Sequence, residues 1–235
     1  MQPYGKTRDS LFVKVLEAER AESEKEYRQK SHASRATGAH TTMPIEDMRM
    51  VDKWLSIAKD HDERRIRGGI SWYLLLLLGF NTALRIGDIC QLRVRDVRDR
   101  ERVRVTQDKT DKMSNIPLQA TAQKAISAAL RGLDADAYVL TSRQKGRKDG
   151  RVKPVSRQRC YAIIREIADQ AGFTEKVGCH TMRKTFALDF YRASGGDLAK
   201  LQKVLNHSSQ EATLHYLGLD QKAIDNVVHN MHSMV

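Results

Sequence analysis

The chain has 235 residues, 40% of them hydrophobic, enough for one sizeable folded domain plus a short appendage. Its formal net charge is +12, which points to a polyanionic partner. No basic amphipathic helix with exposed Trp and Leu stands out, so nucleic acid is favoured over a lipid surface.

Cys90, Cys160 and Cys179 are widely spaced and form no C-x-x-C pair, which argues against both a zinc site and a disulfide framework. They read as three reduced thiols of a cytosolic protein. The start, MQPYGKTRDS, has no apolar stretch of the kind a secretory signal needs.

Residues 7 to 30 read as a helix whose apolar stripe, Leu11, Phe12, Val15 and Leu16, ends early. Such a helix leans on the main domain or on another protomer. Residues 31 to 42 are small and polar and read as a linker. The expected organisation is a helical arm and linker over 1–42 and a main domain over 43–235.

The main domain opens on a helix start at Thr42, Pro44, Glu46 and Asp47. Ile45, Met48, Val51, Trp54, Leu55 and Ala58 are expected on its apolar face. A Leu-rich helix follows over roughly 64–84; its run SWYLLLLLGF is half of what a bilayer span requires and reads as a buried core element. A short helical turn over 86–92 comes next. Val103 and Val105 alternate with polar neighbours as a strand, residues 108–111 turn the chain, and residues 113–118 return it. This hairpin is the one clear β element, with Tyr138-Val139-Leu140 as a further short strand.

Helices are expected at about 120–131, 156–171, 180–193, 197–205, 209–216 and 220–232, punctuated by Gly172, Gly195-Gly196 and Gly218. The fold class is therefore mainly α with a small antiparallel β-sheet (α+β).

The chemistry concentrates late in the chain. Tyr216 lies nine positions after His207, and both follow His180-Thr181-Met182-Arg183 and a more distant Arg85. Near pH 7 only about one phenol in a thousand is ionised, so raising the phenolate population unaided costs about 4 kcal/mol. A tyrosine nucleophile needs a proton acceptor or positive charge beside it, and donors to hold its target. His207, His180, Arg183 and Arg85 are of the right types. Guanidinium groups fork onto phosphate oxygens and stay charged at any working pH, so two of them would stabilise the extra charge of a five-coordinate phosphorane-like transition state. Taken singly, a tyrosine in an apolar helix is ordinarily core, and a His-x-x-Arg ordinarily sits on a solvated face.

Taken together, TALRIGDICQL (82–92), HTMRKTFAL (180–188) and LNHSSQEATLHYLG (205–218) resemble the three boxes of the tyrosine recombinases, the phage integrase family. The resemblance covers about residues 43 to 220, in the family's order and spacing. It implies the family's catalytic-domain fold, with Tyr216 as nucleophile and Arg85 and Arg183 as phosphate clamps. By the same resemblance His180 and His207 handle protons or hydrogen-bond the phosphate. The family's catalytic lysine sits on a hairpin between the first two boxes. That hairpin matches TQDKTDKMSNIPL here and makes Lys109 the candidate, with Lys112 as the fallback. Its implied role is general acid toward the departing 5′ oxygen. Asp88 matches an acidic position and is expected to buttress the site.

Three positions depart from the usual pattern: Lys184 stands where many relatives have a second histidine, and Asn206 and Ala83 each stand for a frequent glycine. None is a reacting group. Family members typically close a clamp on DNA with a separate helical core-binding domain, for which residues 1–42 are too few. The expectation is that one arm or a partner completes the grip, with weak intrinsic affinity.

Supporting DNA contacts are expected from Arg143, Lys145, Arg147, Lys148, Arg151 and Lys153, a basic Gly-containing segment that would track phosphates without reading bases. A solvated flexible loop explains the same charges. Arg157, Gln158, Arg159 and Arg165 on the following helix are groove-facing candidates. Arg93, Arg95, Arg98, Arg100, Arg102 and Arg104 recur along one stretch; alternation on a strand would put several on one face, and a solvated sheet edge explains them as well. His215 adjoins Tyr216, but helix neighbours point in different directions, so His207 is the better partner. A metal site from Cys179, His180, His207 and His215 is disfavoured, since arginines already neutralise the phosphate.

The expected activity is site-specific cleavage and rejoining of double-stranded DNA through a 3′-phosphotyrosyl link. It calls for no cofactor and no metal, because the bond energy is kept in the covalent intermediate. Self-association on DNA as a dimer or tetramer, an accessory protein and a cytoplasmic, nucleoid-associated location go with it. The competing readings are a type IB topoisomerase and a catalytically silent DNA-binding regulator.

Overall fold

The computed structural model describes residues 42–64, 70–107, 112–145 and 152–217. The expected helices over 7–30 and 220–232 lie outside the described residues. So do Lys109, Arg147, Lys148 and Arg151, and the side chains of Arg143, Lys145 and His215. Thr41–Thr213 form one compact unit, and the last described residues, 214–217, fall outside it.

Helix α1, Met48–Arg64, buries Val51, Trp54 and Ala58 at helical spacing. Met48, expected on that face, is exposed instead. Ile45 precedes the helix yet is buried, held by its backbone N–H donating to Thr185 Oγ1 at 2.8 Å. The Trp54 ring meets Phe80 and Phe173 edge-on, at 6.2 and 5.6 Å between centroids. That is the geometry the aromatic quadrupole prefers.

The Leu-rich helix α2 runs Trp72–Asn81, shorter than the 64–84 expectation. Ser71 caps it, accepting from the Leu74 N–H at 3.0 Å. Asp62 of α1 reaches across to accept from the N–H groups of Trp72 and Tyr73, both at 3.1 Å, and from the Ser71 hydroxyl at 2.6 Å. A carboxylate on the exposed N–H groups of a helix start satisfies orphan donors and the helix dipole together. Leu74 through Leu78 are all buried, so α2 is the hub of the core. Each such side chain removed from water contributes about 1.5–3 kcal/mol. Helices α1, α5 (Ala120–Ala129) and α7 (Thr181–Ala193) pack around it. Gly79 permits the closest approach: a Cβ there would lie 2.3 Å from Met182 Sδ of α7.

Two short helices, α3 (Ile86–Gln91) and α4 (Val94–Val97), lead into the hairpin of β1 (Arg102–Thr106) and β2 (Met113–Pro117). Its register pairs Val103 with Ile116 and Val105 with Ser114, with Val103, Ser114 and Ile116 facing inward. The arginines of 93–104 do not all share a strand face: Arg102 and Arg104, two apart on β1, share its exposed side, and the others lie off the strand. Arg93 stacks over the Tyr138 ring at 4.5 Å, and Arg95 pairs with Asp136. Arg98 donates to the Leu133 carbonyl at 2.6 Å and Arg100 to the Arg95 carbonyl at 3.1 Å. These cations hold connections together.

A second antiparallel pair, β3 (Thr141–Lys145) and β4 (Val152–Pro154), is not foreseen by the sequence. Tyr138 makes only an isolated bridge to Arg93, so the extra strand lies just beyond the expected 138–140 segment. Helices α6 (Arg157–Ala171), α8 (Leu198–Leu205) and α9 (Gln210–Leu217) fall within two residues of expectation. Ser156 caps α6, and Gly172 ends it in the left-handed conformation, φ +70°.

Candidate active site

Three connections carry Arg85, Arg183 and His207 and are tied to one another through Arg183. The first is the bend between α2 and α3, where Arg85 is the extended residue from which α3 starts. Two residues earlier, Ala83 is fully buried with φ +52°, a left-handed backbone that an L-residue other than Gly, Asn or Asp rarely adopts. That strain turns the Ala83 carbonyl toward α7, where Arg183 donates to it.

The second is the first turn of α7. His180 is its N-cap residue and half-buried, and Arg183 lies one turn on with only 2% of its surface exposed. The other terminal nitrogen of Arg183 donates to the Leu205 carbonyl at 2.7 Å, the last residue of α8. Burying a guanidinium is costly unless its donors are used. Two carbonyls from two different elements fix its plane. Lys184 follows, also buried, and burial pushes its ammonium pKa below the usual lysine range.

The third is the turn between α8 and α9. Asn206 ends α8 in the left-handed region at φ +54°, a conformation that asparagine tolerates better than most residues. Its carboxamide nitrogen donates to Ser114 Oγ at 3.1 Å and to the Met113 carbonyl at 3.3 Å, fastening this turn to β2. His207 comes next. Its Nδ1 lies 3.1 Å from Thr213 Oγ1, and that hydroxyl reaches the Ser209 carbonyl at 3.2 Å. When the hydroxyl donates to the Ser209 carbonyl, which can only accept, Nδ1 is the ring nitrogen that carries the proton. In the neutral ring Nε2 then holds the lone pair.

The pKa of His207 is lowered to about 4, first by burial and then by the positive charges of Arg183, Arg85 and Lys112. Positive charge nearby disfavours a protonated ring. The geometric tie is Arg183, whose two bonded carbonyls, Ala83 and Leu205, lie two residues before Arg85 and His207 respectively. Arg85 donates to the carboxamide oxygen of Gln107, a fully buried residue at the end of β1 that the sequence reading passed over. No motif marks Gln107; only its place at the foot of the lysine hairpin could have singled it out.

Asp88 is buried in the first turn of α3. Cys179 is half-buried, and loss of hydration raises its thiol pKa to about 11. The Cys160 thiol is also pushed up, by its contact with Cys90 at 3.7 Å and by burial. Those thiols stay protonated near neutrality and are poor nucleophiles. Lys153, Arg157 and Arg159 are exposed, with the Arg157 guanidinium lying over Gly87. Tyr216 lies on α9, past the end of the Thr41–Thr213 unit.

The model of the phage integrase family matches residues 51–223, which takes in all three connections and Tyr216. The chain belongs to the phage integrase family. It is 37% identical over 149 residues to the probable integrase/recombinase YoeC of Bacillus subtilis (strain 168), across 63% of this chain and 78% of that one. It is 25% identical over 169 residues to the tyrosine recombinase XerC of Thermodesulfovibrio yellowstonii, across 68% of this chain and 54% of that one. The chain thus spans about half the length of that Xer relative. The crystal structure of XerA recombinase superposes with a TM-score of 0.60 over 81% of this chain and 67% of that one, at 24% identity, which establishes the shared fold. Among the described residues, no helix is long and apolar enough to cross a membrane.

Proposed function

We propose that this chain is a site-specific DNA recombinase whose nucleophile is Tyr216. The observation that carries the reading is that buried Arg183 bonds the carbonyls of Ala83 and Leu205, two residues before Arg85 and His207, and so joins the three boxes in a member of the phage integrase family. Guanidinium groups fork onto phosphate oxygens, which makes Arg85 and Arg183 suited to hold a phosphodiester.

In the proposed reaction the Tyr216 phenol oxygen attacks phosphorus, and its proton passes to His180 or His207. The bond from phosphorus to the 5′ oxygen breaks. That oxygen takes a proton from the hairpin lysine, Lys109, with Lys112 as the alternative, and leaves as a 5′ hydroxyl. Arg85 and Arg183 hold the non-bridging oxygens while charge builds on them. A 5′ hydroxyl from a second duplex reverses the steps. Exchange needs two cleaved strands at once, so at least two protomers act together on the DNA. The +12 charge supports the polyanionic partner. Lys153, Arg157 and Arg159, with Arg143, Lys145, Arg147, Lys148 and Arg151, are proposed as backbone contacts; neutralising them should flatten the salt dependence of binding.

The test starts from a pool of nicked duplexes with randomised sequence, incubated with the full chain. Covalently captured DNA is sequenced to define the site, and that site is then offered a 5′-hydroxyl strand. A recombinase forms the adduct and transfers the strand to the second duplex. Relaxation of a supercoiled plasmid without transfer would instead identify a topoisomerase, and binding without any adduct a regulator.

A further inference from the structure

Gln107 is buried completely at the foot of the β1–β2 hairpin, and nothing in the reaction above uses it. Its backbone N–H donates to the Lys112 carbonyl at 3.0 Å, pairing the chain just after β1 with the chain just before β2. Its carboxamide oxygen accepts from Arg85, and its carboxamide nitrogen donates to Ser114 Oγ at 2.5 Å. Ser114, itself buried, accepts a second bond from Asn206, the residue before His207. One carboxamide therefore sits between an arginine of the first box, the lysine hairpin and the turn of the last box. A carboxamide has distinct ends, so the bond to Ser114 fixes which end faces Arg85. With the nitrogen committed to Ser114, the oxygen must face the guanidinium.

We infer that Gln107 is a positioning residue that orients the Arg85 guanidinium toward the scissile phosphate, with Ser114 holding its carboxamide the right way round. This rests on the recombinase reading. The physical consequence is specific. An orienting partner for a clamp matters only where the clamp has a charge to hold, that is, at a negatively charged non-bridging oxygen. Replacing that oxygen by a methyl group, as in a methylphosphonate, removes the charge that Arg85 neutralises and with it the need for Gln107. A residue that merely supported the fold would matter equally for both substrates.

The experiment compares covalent-adduct formation by the full chain on the captured DNA site, with either a phosphate or a methylphosphonate at the scissile position. Gln107→Met keeps the side-chain shape and deletes the polar contacts to Arg85 and Ser114. It should slow cleavage of phosphate DNA by roughly tenfold to a hundredfold, the scale of a lost hydrogen bond to a charged group, and slow methylphosphonate cleavage by less than about threefold. Ser114→Ala is a small buried change that folds even if Gln107→Met does not. It should produce a smaller defect with the same selectivity. Equal slowing on both substrates by each folded variant, or no slowing on phosphate DNA, would overturn the inference while leaving the recombinase reading intact. A wild-type protein that forms no adduct at all would overturn both.

Discussion

Arg183 donates to the backbone carbonyl of Ala83, a hundred residues away in sequence and held in a left-handed conformation. The contact explains why a strained backbone persists there: the strained bend aims its carbonyl at a buried guanidinium. A non-glycine residue in this region costs about 1–2 kcal/mol. Glycine relieves that cost but gives the unfolded chain more freedom. Ala83→Gly should therefore leave stability unchanged or raise it slightly. Ala83→Val, which adds a branched Cβ at positive φ in a fully buried position, should lower stability by about 2 kcal/mol or more. Urea denaturation of both variants gives the comparison.

His207 has a pKa lowered to about 4 by burial and by Arg183, Arg85 and Lys112. The unfolded ring titrates near 6.5, so between about 6.5 and 4 the unfolded state binds the extra proton. The contribution of His207 to stability is complete above pH 6.5 and is lost as pH falls toward 4. Thermal unfolding followed over that range should show a decline that His207→Gln reduces. A bound phosphate opposes the three cations and should raise the His207 pKa. DNA binding should then be accompanied by proton uptake, and affinity should tighten as pH drops from 7 to 5. NMR titration of the imidazole with and without DNA reads the shift directly.

The hairpin lysine is assigned a proton-donating role, and the leaving group provides the check. A 5′-bridging sulfur departs as a thiolate, whose conjugate acid has a pKa near 8.5, and needs no proton. Lys109→Ala should slow cleavage of ordinary DNA by about 10²–10⁴-fold, the range of general acid catalysis. It should cleave the 5′-thio substrate at close to the wild-type rate. Lys112→Ala should show no such rescue. The opposite pattern transfers the role to Lys112.

Much of this molecule can be read from its residues, because the strongest signals are periodic. The helix expected over 156–171 forms at Arg157–Ala171, where Ser156 caps it and Gly172 ends it. The hairpin around 103–118 follows from valines alternating with polar side chains and ending on proline. The β3–β4 pair escapes notice because Ser142, Arg143, Gln144 and Lys145 offer no apolar alternation. The Leu-rich helix is overestimated because leucine marks burial but not where a helix begins. The start is set by Ser71 and by Asp62, which arrives from another helix. At the site, histidine and arginine can be picked out by type and order. Gln107 cannot, because its meaning lies in contacts to Arg85 and Ser114 that exist only once the chain is folded. Ala83 and Asn206 look like departures from glycine, yet both hold the left-handed backbone that explains glycine's use there.

The most direct test of the central claim is to map the covalent bond. The full chain is incubated with the captured nicked DNA site, the adduct is digested with protease and nuclease, and the nucleotide-bearing peptide is sequenced by mass spectrometry. The account predicts a single modified residue, Tyr216, bearing a 3′-linked phosphate, and no adduct from Tyr216→Phe. An adduct on any other residue, or one that survives Tyr216→Phe, would contradict it.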